Sequence, residues 1–323
     1  MQIQTMRLID KYLGIPLCFL TSVFIRFFSL FSARKKINLK RCLFIELSEM
    51  GSAILADPAI RYLQEKASSD LYFLIFQQNA ESLELLQTIP SSQRFTIRSN
   101  NMLVLTFDVV RFVFWCRKNK LTTVIDLELY SRFTSLLCVF SGCRHRIGFD
   151  SHHDEGFYRG KLINYPVRYN SHVHISVNFM ALVHRALAYF STPYAKVLIK
   201  KEDIVLQQAH YPPAVYDKVK TTLSTLDQTW ESKRLIIFNI NASDMLPQRK
   251  WRLEHFVTTA RLLIENLQDI LIVATGSKSE RSYVQHFVDR VGASHCLNAA
   301  ALFSLQEMVA LCSLSACMLS NDS

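Results

Sequence analysis

An alternation constrains this sequence more than anything else in it. Short apolar runs closed by polar turns take turns with longer segments of helical period. Residues 42–47, 71–76, 122–127 and 146–149 read as strands, and 53–66, 81–86, 102–118 and 131–140 as helices. Short turns between strand and helix predict parallel strands with crossover helices, hence a doubly wound α/β sheet. A polar, His-rich stretch (150–175) and a helix (177–190) follow, and then the pattern restarts. Strands are expected at 235–239, 270–275, near Cys296 and at 316–320, with helices at 253–266, 280–291 and 305–313. A chain of 323 residues, half of them apolar, can fill two such cores. The expected division is a basic apolar N-terminal helix (1–36), an α/β domain (37–190), a connector with its own short helix (191–232) and a second α/β domain (233–323).

The last residues, Ser320-Asn321-Asp322-Ser323, come directly after an apolar run. Asn-Asp-Ser after a strand signals a turn and a helix N-cap, and such a turn is where an α/β domain holds a phosphate on a helix N-terminus. The expectation is a C-terminal domain left incomplete, interrupted within a βα unit at its ligand site.

The formal charge is +10, and its distribution says more than its size. Residues 1–41 carry eight basic side chains (Arg7, Lys11, Arg26, Arg34, Lys35, Lys36, Lys40, Arg41) against Asp10, and the other 282 residues are only mildly basic. A nucleic-acid binder spreads its cations over a folded face; a basic leader beside an apolar stretch points to an anionic membrane surface. Residues 12–33 are long enough to approach a span, but Arg26 lies inside, and a mid-bilayer Arg costs about 2.5–3.5 kcal/mol. Ser22, Arg26 and Ser29 make a narrow polar stripe on an otherwise greasy helix, which favours a helix lying in the interface. A spanning anchor, a cleaved signal peptide and a helix packed on the protein's own body are the alternatives.

Eight scattered cysteines include no CxxC pair and read as reduced core thiols of a cytoplasmic protein. His172 and His174 share a strand face, and His152 and His153 lie nearby, but no third metal ligand has sensible spacing, so no metal is expected. Together with Arg144, Arg146 and Arg159 these histidines would instead suit phosphorylated groups. GxGxxG, the P-loop, GxSxG and HExxH are all missing.

Several blocks, in order, resemble glycosyltransferase family 9, the heptosyltransferases of lipopolysaccharide core synthesis. After the first strand comes Ser48-Glu49-Met50-Gly51-Ser52 and then Pro58. Asp126-Leu127 with Arg132, and later Arg146-Ile147-Gly148-Phe149, is similar to the second block. Asn241-Ala242-Ser243 with Lys250-Trp251 resembles the donor-side loop, and Thr275-Gly276 with Glu280 the block after it. Asn321-Asp322-Ser323 resembles the start of an Asp-Ser/Thr-Gly-x-x-His motif.

The resemblance implies a GT-B architecture, two Rossmann-like domains facing across a cleft. It also implies inverting transfer from a nucleotide-sugar, typically ADP-heptose, to a lipid-linked acceptor at the cytoplasmic face of the inner membrane, with no metal or other cofactor. Inversion needs a general base for the acceptor hydroxyl and positive groups on the leaving diphosphate. On this resemblance Glu49, Ser52 and Lys250 are the catalytic candidates. Asn241, Ser243, Lys250, Gly276, Glu280, Asp322 and Ser323 would bind donor, and Gly51, Arg132 and Arg146 acceptor. One departure stands out: Ser52 occupies the position of the family's proposed Asp base, and Glu49 in the same turn is the carboxylate left to replace it. A non-catalytic GT-B-like protein that binds glycolipid or a protein partner is the rival reading.

Overall fold

The computed structural model describes residues 12–29, 36–149, 158–195, 198–242 and 250–321. The chain forms two compact units, Met1–Gln208 and Ala209–Ser323.

The first unit is a six-stranded parallel sheet in the order β3-β2-β1-β4-β5-β6. Its strands are β1 (Arg41–Ile45), β2 (Asp70–Phe76), β3 (Arg94–Ile97), β4 (Thr123–Asp126), β5 (His145–Phe149) and β6 (Tyr165–Val167). This is the Rossmann order, in which the connections reverse direction between β1 and β4. The central strands are buried on both faces, which is why they read as unbroken apolar runs. Helices α2 (Met50–Ala67) and α6 (Ile175–Ala186) cover one face through Ala56, Ile60, Leu63, Phe179 and Leu182. Helices α4 (Met102–Lys118) and α5 (Arg132–Phe140) cover the other through Leu105, Phe112, Cys116 and Leu137. Asn101 and Ser131 cap α4 and α5 with their side chains. A short helix, α3 (Glu81–Leu86), follows β2.

Helix α1 (Gly14–Ser29) packs on α5. Cys18 is buried with Leu136 and Leu162. The structure adopts one of the alternatives weighed for this segment, a helix on the protein's own body, and turns part of the polar stripe inward. Ser22 Oγ donates to the Cys18 carbonyl (2.6 Å) and accepts from the Lys161 amide (2.8 Å). Two glycines make the seat. A Cβ on Gly14 would stand 2.9 Å from Arg132 Cδ, and one on Gly160, whose φ is +62°, would stand 1.9 Å from Ser22 Oγ. The outward side of α1 stays apolar and exposed, as at Leu20 and Phe24. Among the described residues no helix is long and apolar enough to cross a membrane.

The second unit is a four-stranded parallel sheet in the order β10-β7-β8-β9. Its strands are β7 (Arg234–Asn239), β8 (Ile270–Ala274), β9 (Cys296–Asn298) and β10 (Ser315–Ser320). Helices α8 (Leu253–Asn266) and α9 (Arg281–Val291) pack one face through Phe256, Phe287 and Val284. Helices α7 (Pro213–Leu226) and α10 (Leu305–Leu314) pack the other through Val219, Leu223, Ala310 and Leu311. The stretch 191–232 is therefore divided. Its α7 belongs to the second unit's core, because Val219 and Leu223 bury against β7 and β8.

Gly160→Ala should unseat α1 at a cost of about 2 kcal/mol, since a left-handed backbone and an overfilled contact combine. Limited proteolysis should then cleave between residues 12 and 40 faster than in the unchanged protein. Equal protection would show that the seat is not what holds α1.

Candidate functional site

In each unit the polar residues collect at the carboxyl ends of the strands, beside the point where the connections reverse. Open α/β sheets bind ligands there.

In the first unit the turn from β1 to α2 is held by Glu128, which follows β4. One oxygen, Glu128 Oε1, accepts from the Leu47 amide (2.9 Å), the Ser48 amide (2.8 Å) and Ser48 Oγ (2.7 Å). Asn79 Nδ2 donates to the Leu47 carbonyl from the other side. This clamp sets the position of Glu49, Gly51 and Ser52. Glu49 takes the N-cap position of α2 without bonding the helix amides, and its exposed carboxylate accepts from Ser52 Oγ at 3.1 Å. Gly51 is helical, and a Cβ there would meet nothing within 4 Å, so neither backbone nor packing demands the glycine. Asp57, one turn on, is buried and spent on Arg61 (2.7 Å) and Thr88.

Behind the turn lie two more buried carboxyl groups, Glu46 and Asp126. Burial, then the charge of Glu128, pushes Glu46 well above the ordinary carboxylate range; a hydrogen bond between the two carboxyl groups favours a retained proton. Burial also pushes Asp126 up to about 7, against the opposing pull of Arg159. Arg159 Nη1 lies 3.3 Å from Asp126 Oδ2 and 3.0 Å from Ser135 Oγ, and its Nε and Nη2 have no hydrogen-bond partner among the described residues. Breaking a buried ion pair usually costs about 3–5 kcal/mol. A carboxyl group already near neutrality can take up a proton instead, which softens that loss. Gly148 makes room for Asp126, since a Cβ there would stand 3.1 Å from Asp126 Cβ.

The two arginines assigned to acceptor binding are engaged in structure. Arg132 is buried, packs under Gly14 and donates from Nε to the Tyr158 carbonyl (2.9 Å). Arg146 Nε donates to the Leu162 carbonyl (2.5 Å) and Nη1 to the Cys143 carbonyl (3.1 Å), tying the 158–164 segment to β5. Arg159 is the arginine that the fold brings to the acidic cluster.

In the second unit three asparagines knit the strand ends together. Asn241 Nδ2 donates to the Thr275 carbonyl (2.8 Å) and to Asn239 Oδ1 (3.1 Å), while its own Oδ1 is buried with no hydrogen-bond partner among the described residues. Gly276 is required by this contact: a Cβ there would stand 2.7 Å from Asn241 Nδ2. Asn321 Nδ2 donates to the Ile240 carbonyl (2.8 Å), and Asn321 Oδ1 accepts from the Trp251 amide (2.8 Å). Lys250 places Nζ 4.1 Å over the Tyr283 ring of α9, a contact worth about 0.5–1 kcal/mol at an exposed site. The structure thus brings Asn241, Gly276, Lys250 and Asn321 onto one edge. Glu280 closes a capping box, accepting from the Ser277 amide at 2.7 Å. Ser243, Asp322, Ser323, His152 and His153 lie outside the described residues. His174 caps α6. No group of three His, Cys, Asp or Glu among the described residues is placed to hold a metal ion.

Sequence reasoning missed Glu46, Glu128 and Asn239. The one available signal was the spacing of Asp126 and Glu128 after an apolar strand, two acids at a strand's carboxyl end.

Since Glu46 is raised above its unfolded value, its contribution to stability is full below about pH 4 and is lost as pH rises through its folded pKa. Glu46→Gln mimics the protonated form. Its melting temperature should gain on the unchanged protein as pH rises from 5 to 8.5, reaching roughly 2–4 °C. A difference that stays flat with pH would contradict the retained proton.

The fold and the sequence agree with one family. The profile of glycosyltransferase family 9 (heptosyltransferase) matches residues 116–323. Among solved structures, the chain is similar to the E. coli ADP-heptose lps heptosyltransferase II, at 17% identity over 88% of this chain and 79% of that one, with a TM-score of 0.67. It is similar to a family 9 glycosyl transferase from Veillonella parvula, at 16% identity over 90% and 78%, with a TM-score of 0.65. A third likeness is to an E. coli heptosyltransferase solved with ADP-2-deoxy-2-fluoro heptose, at 14% identity over 88% and 83%, with a TM-score of 0.60. No curated protein matches the sequence. The chain belongs to glycosyltransferase family 9, the heptosyltransferases.

Proposed function

We propose that this glycosyltransferase moves heptose from ADP-heptose to a lipid-linked, lipopolysaccharide-type acceptor, with inversion and without a metal ion. The observation that carries the reading is the Glu49–Ser52 pair. It is an exposed carboxylate at the carboxyl edge of the first sheet, on a turn fixed from behind by Glu128. In this reading Glu49 takes the proton of the acceptor hydroxyl as its oxygen attacks the anomeric carbon, and ADP leaves from the opposite side. Ser52 orients the carboxylate. Gly51 leaves space for the acceptor. On the donor side Lys250 and backbone amides near Asn241 and Gly276 offset the charge that develops on the diphosphate. The protein works at the cytoplasmic face of the inner membrane, where a lipid-linked acceptor is found.

The serine at position 52 favours a second reading, a family member that binds its ligands without turnover. Product formation from ADP-heptose and a lipid-linked acceptor, followed by mass spectrometry, separates the two. Transfer with an inverted anomeric centre supports the enzyme. Stabilisation by ADP-heptose without product supports the binder.

Glu49→Gln should lower kcat at least a hundredfold while changing KM little. Lys250→Ala should weaken ADP-heptose binding roughly tenfold or more, the loss of one charge-assisted contact. An unchanged rate in the first variant would remove Glu49 from the mechanism.

A further inference from the structure

Helix α4 carries two opposed apolar stripes. Leu105, Phe112 and Cys116 are buried against the sheet. Leu103, Phe107, Val110 and Phe114, at spacings of four, three and four, fall within about 60° of one another on the far side. They are 84%, 59%, 50% and 64% exposed. Arg111, Arg117 and Lys118 flank this outer stripe and are exposed. The helix's one acid, Asp108, is fully buried, bonded to Arg98 (2.8 Å) and Arg111 (3.2 Å), so it adds no negative charge to the face. Arg111 also lines, with Arg94, Arg98, Trp115 and Gln77, an open pocket of about 450 Å3 at the β3 edge. Helix α5 lies on the same side of the sheet and exposes Phe140, and α1, packed on α5, exposes Leu20, Val23 and Phe27.

We propose that α4 docks this unit on an anionic lipid bilayer. Leu103, Phe107, Val110 and Phe114 enter the boundary between headgroups and acyl chains, and Arg111, Arg117 and Lys118 meet lipid phosphates. An apolar stripe whose flanking charges are all cations is the pattern of a helix lying in a bilayer interface. Four large apolar side chains standing out along one convex helix suit the flat boundary of a bilayer. The proposal rests on exposure and charge rather than on the transfer reaction, so vesicle binding reads it without turnover.

The full chain is sedimented with vesicles of phosphatidylcholine alone and of phosphatidylcholine mixed with phosphatidylglycerol. The unchanged protein should prefer the anionic vesicles. Phe107→Glu with Phe114→Glu should weaken binding to them at least tenfold at an unchanged melting temperature, because both side chains are exposed. Arg117→Gln with Lys118→Gln should weaken anionic binding roughly tenfold and leave binding to neutral vesicles unchanged. Leu20→Glu with Val23→Glu serves as the α1 control. Full binding by the Phe107/Phe114 variant, or loss only in the α1 control, overturns the proposal. So does a dimer that the Phe107/Phe114 variant splits while vesicles are ignored, which would make the stripe a contact between copies.

Discussion

The candidate site of the first unit depends on one oxygen, Glu128 Oε1. It receives three donors from a turn some eighty positions earlier in the chain. Those bonds close the gap between β1 and β4 at the reversal point, where no crossover helix covers the strand ends. An ionised carboxylate suits three donors well, since charge-assisted bonds are about twice as strong as neutral ones. A second buried negative charge beside it would be repelled, and burial with the charge of Glu128 pushes Glu46 well above the ordinary carboxylate range. The second unit reaches the same end without charge. Asn241 and Asn321 bond across from β7 to the chain after β8 and to the Trp251 amide. In the proposed function, a neutral clamp beside the donor diphosphate leaves the local field to Lys250 and the backbone amides.

Periodicity made most of the fold legible. The helices expected at 102–118 and 253–266 have those bounds in the structure, because each carries a long buried stripe. Two strands escaped. β3 has four residues at the sheet's edge, and its half-exposed pattern resembles a turn. β6 contains Pro166, which argues against a strand in the interior and is harmless at an edge. The candidate site was legible where a turn announced it, at 48–52 and at 241, and not where partners are far apart in sequence. Nothing near Glu128 in the sequence says that it faces Ser48. The polar stripe of α1 was visible, but its direction was set by Gly160 and Lys161, more than 130 positions away.

The same long-range contact changes what the N-terminal helix is. An interfacial helix is expected to show its polar groups to water. Here Ser22 is used to grip the body, and the apolar side is turned out. Small and polar residues at Gly14, Cys18 and Ser22 seat the helix, while large apolar side chains such as Leu20 and Phe24 are exposed.

Ser52 has a physical rationale in this setting. The carboxyl edge already holds Glu46, Glu49, Asp126 and Glu128 within one turn and two strand ends. An aspartate at position 52 would sit one helical turn from Glu49, as a like-charge pair on the same helix face, and such pairs are destabilising. A hydroxyl at that position instead donates to Glu49 and steadies it. The role of the family's aspartate and the carboxylate at 49 are therefore alternatives rather than additions. Under the proposed function, the substitution transposes the base within a single turn that Glu128 holds from behind.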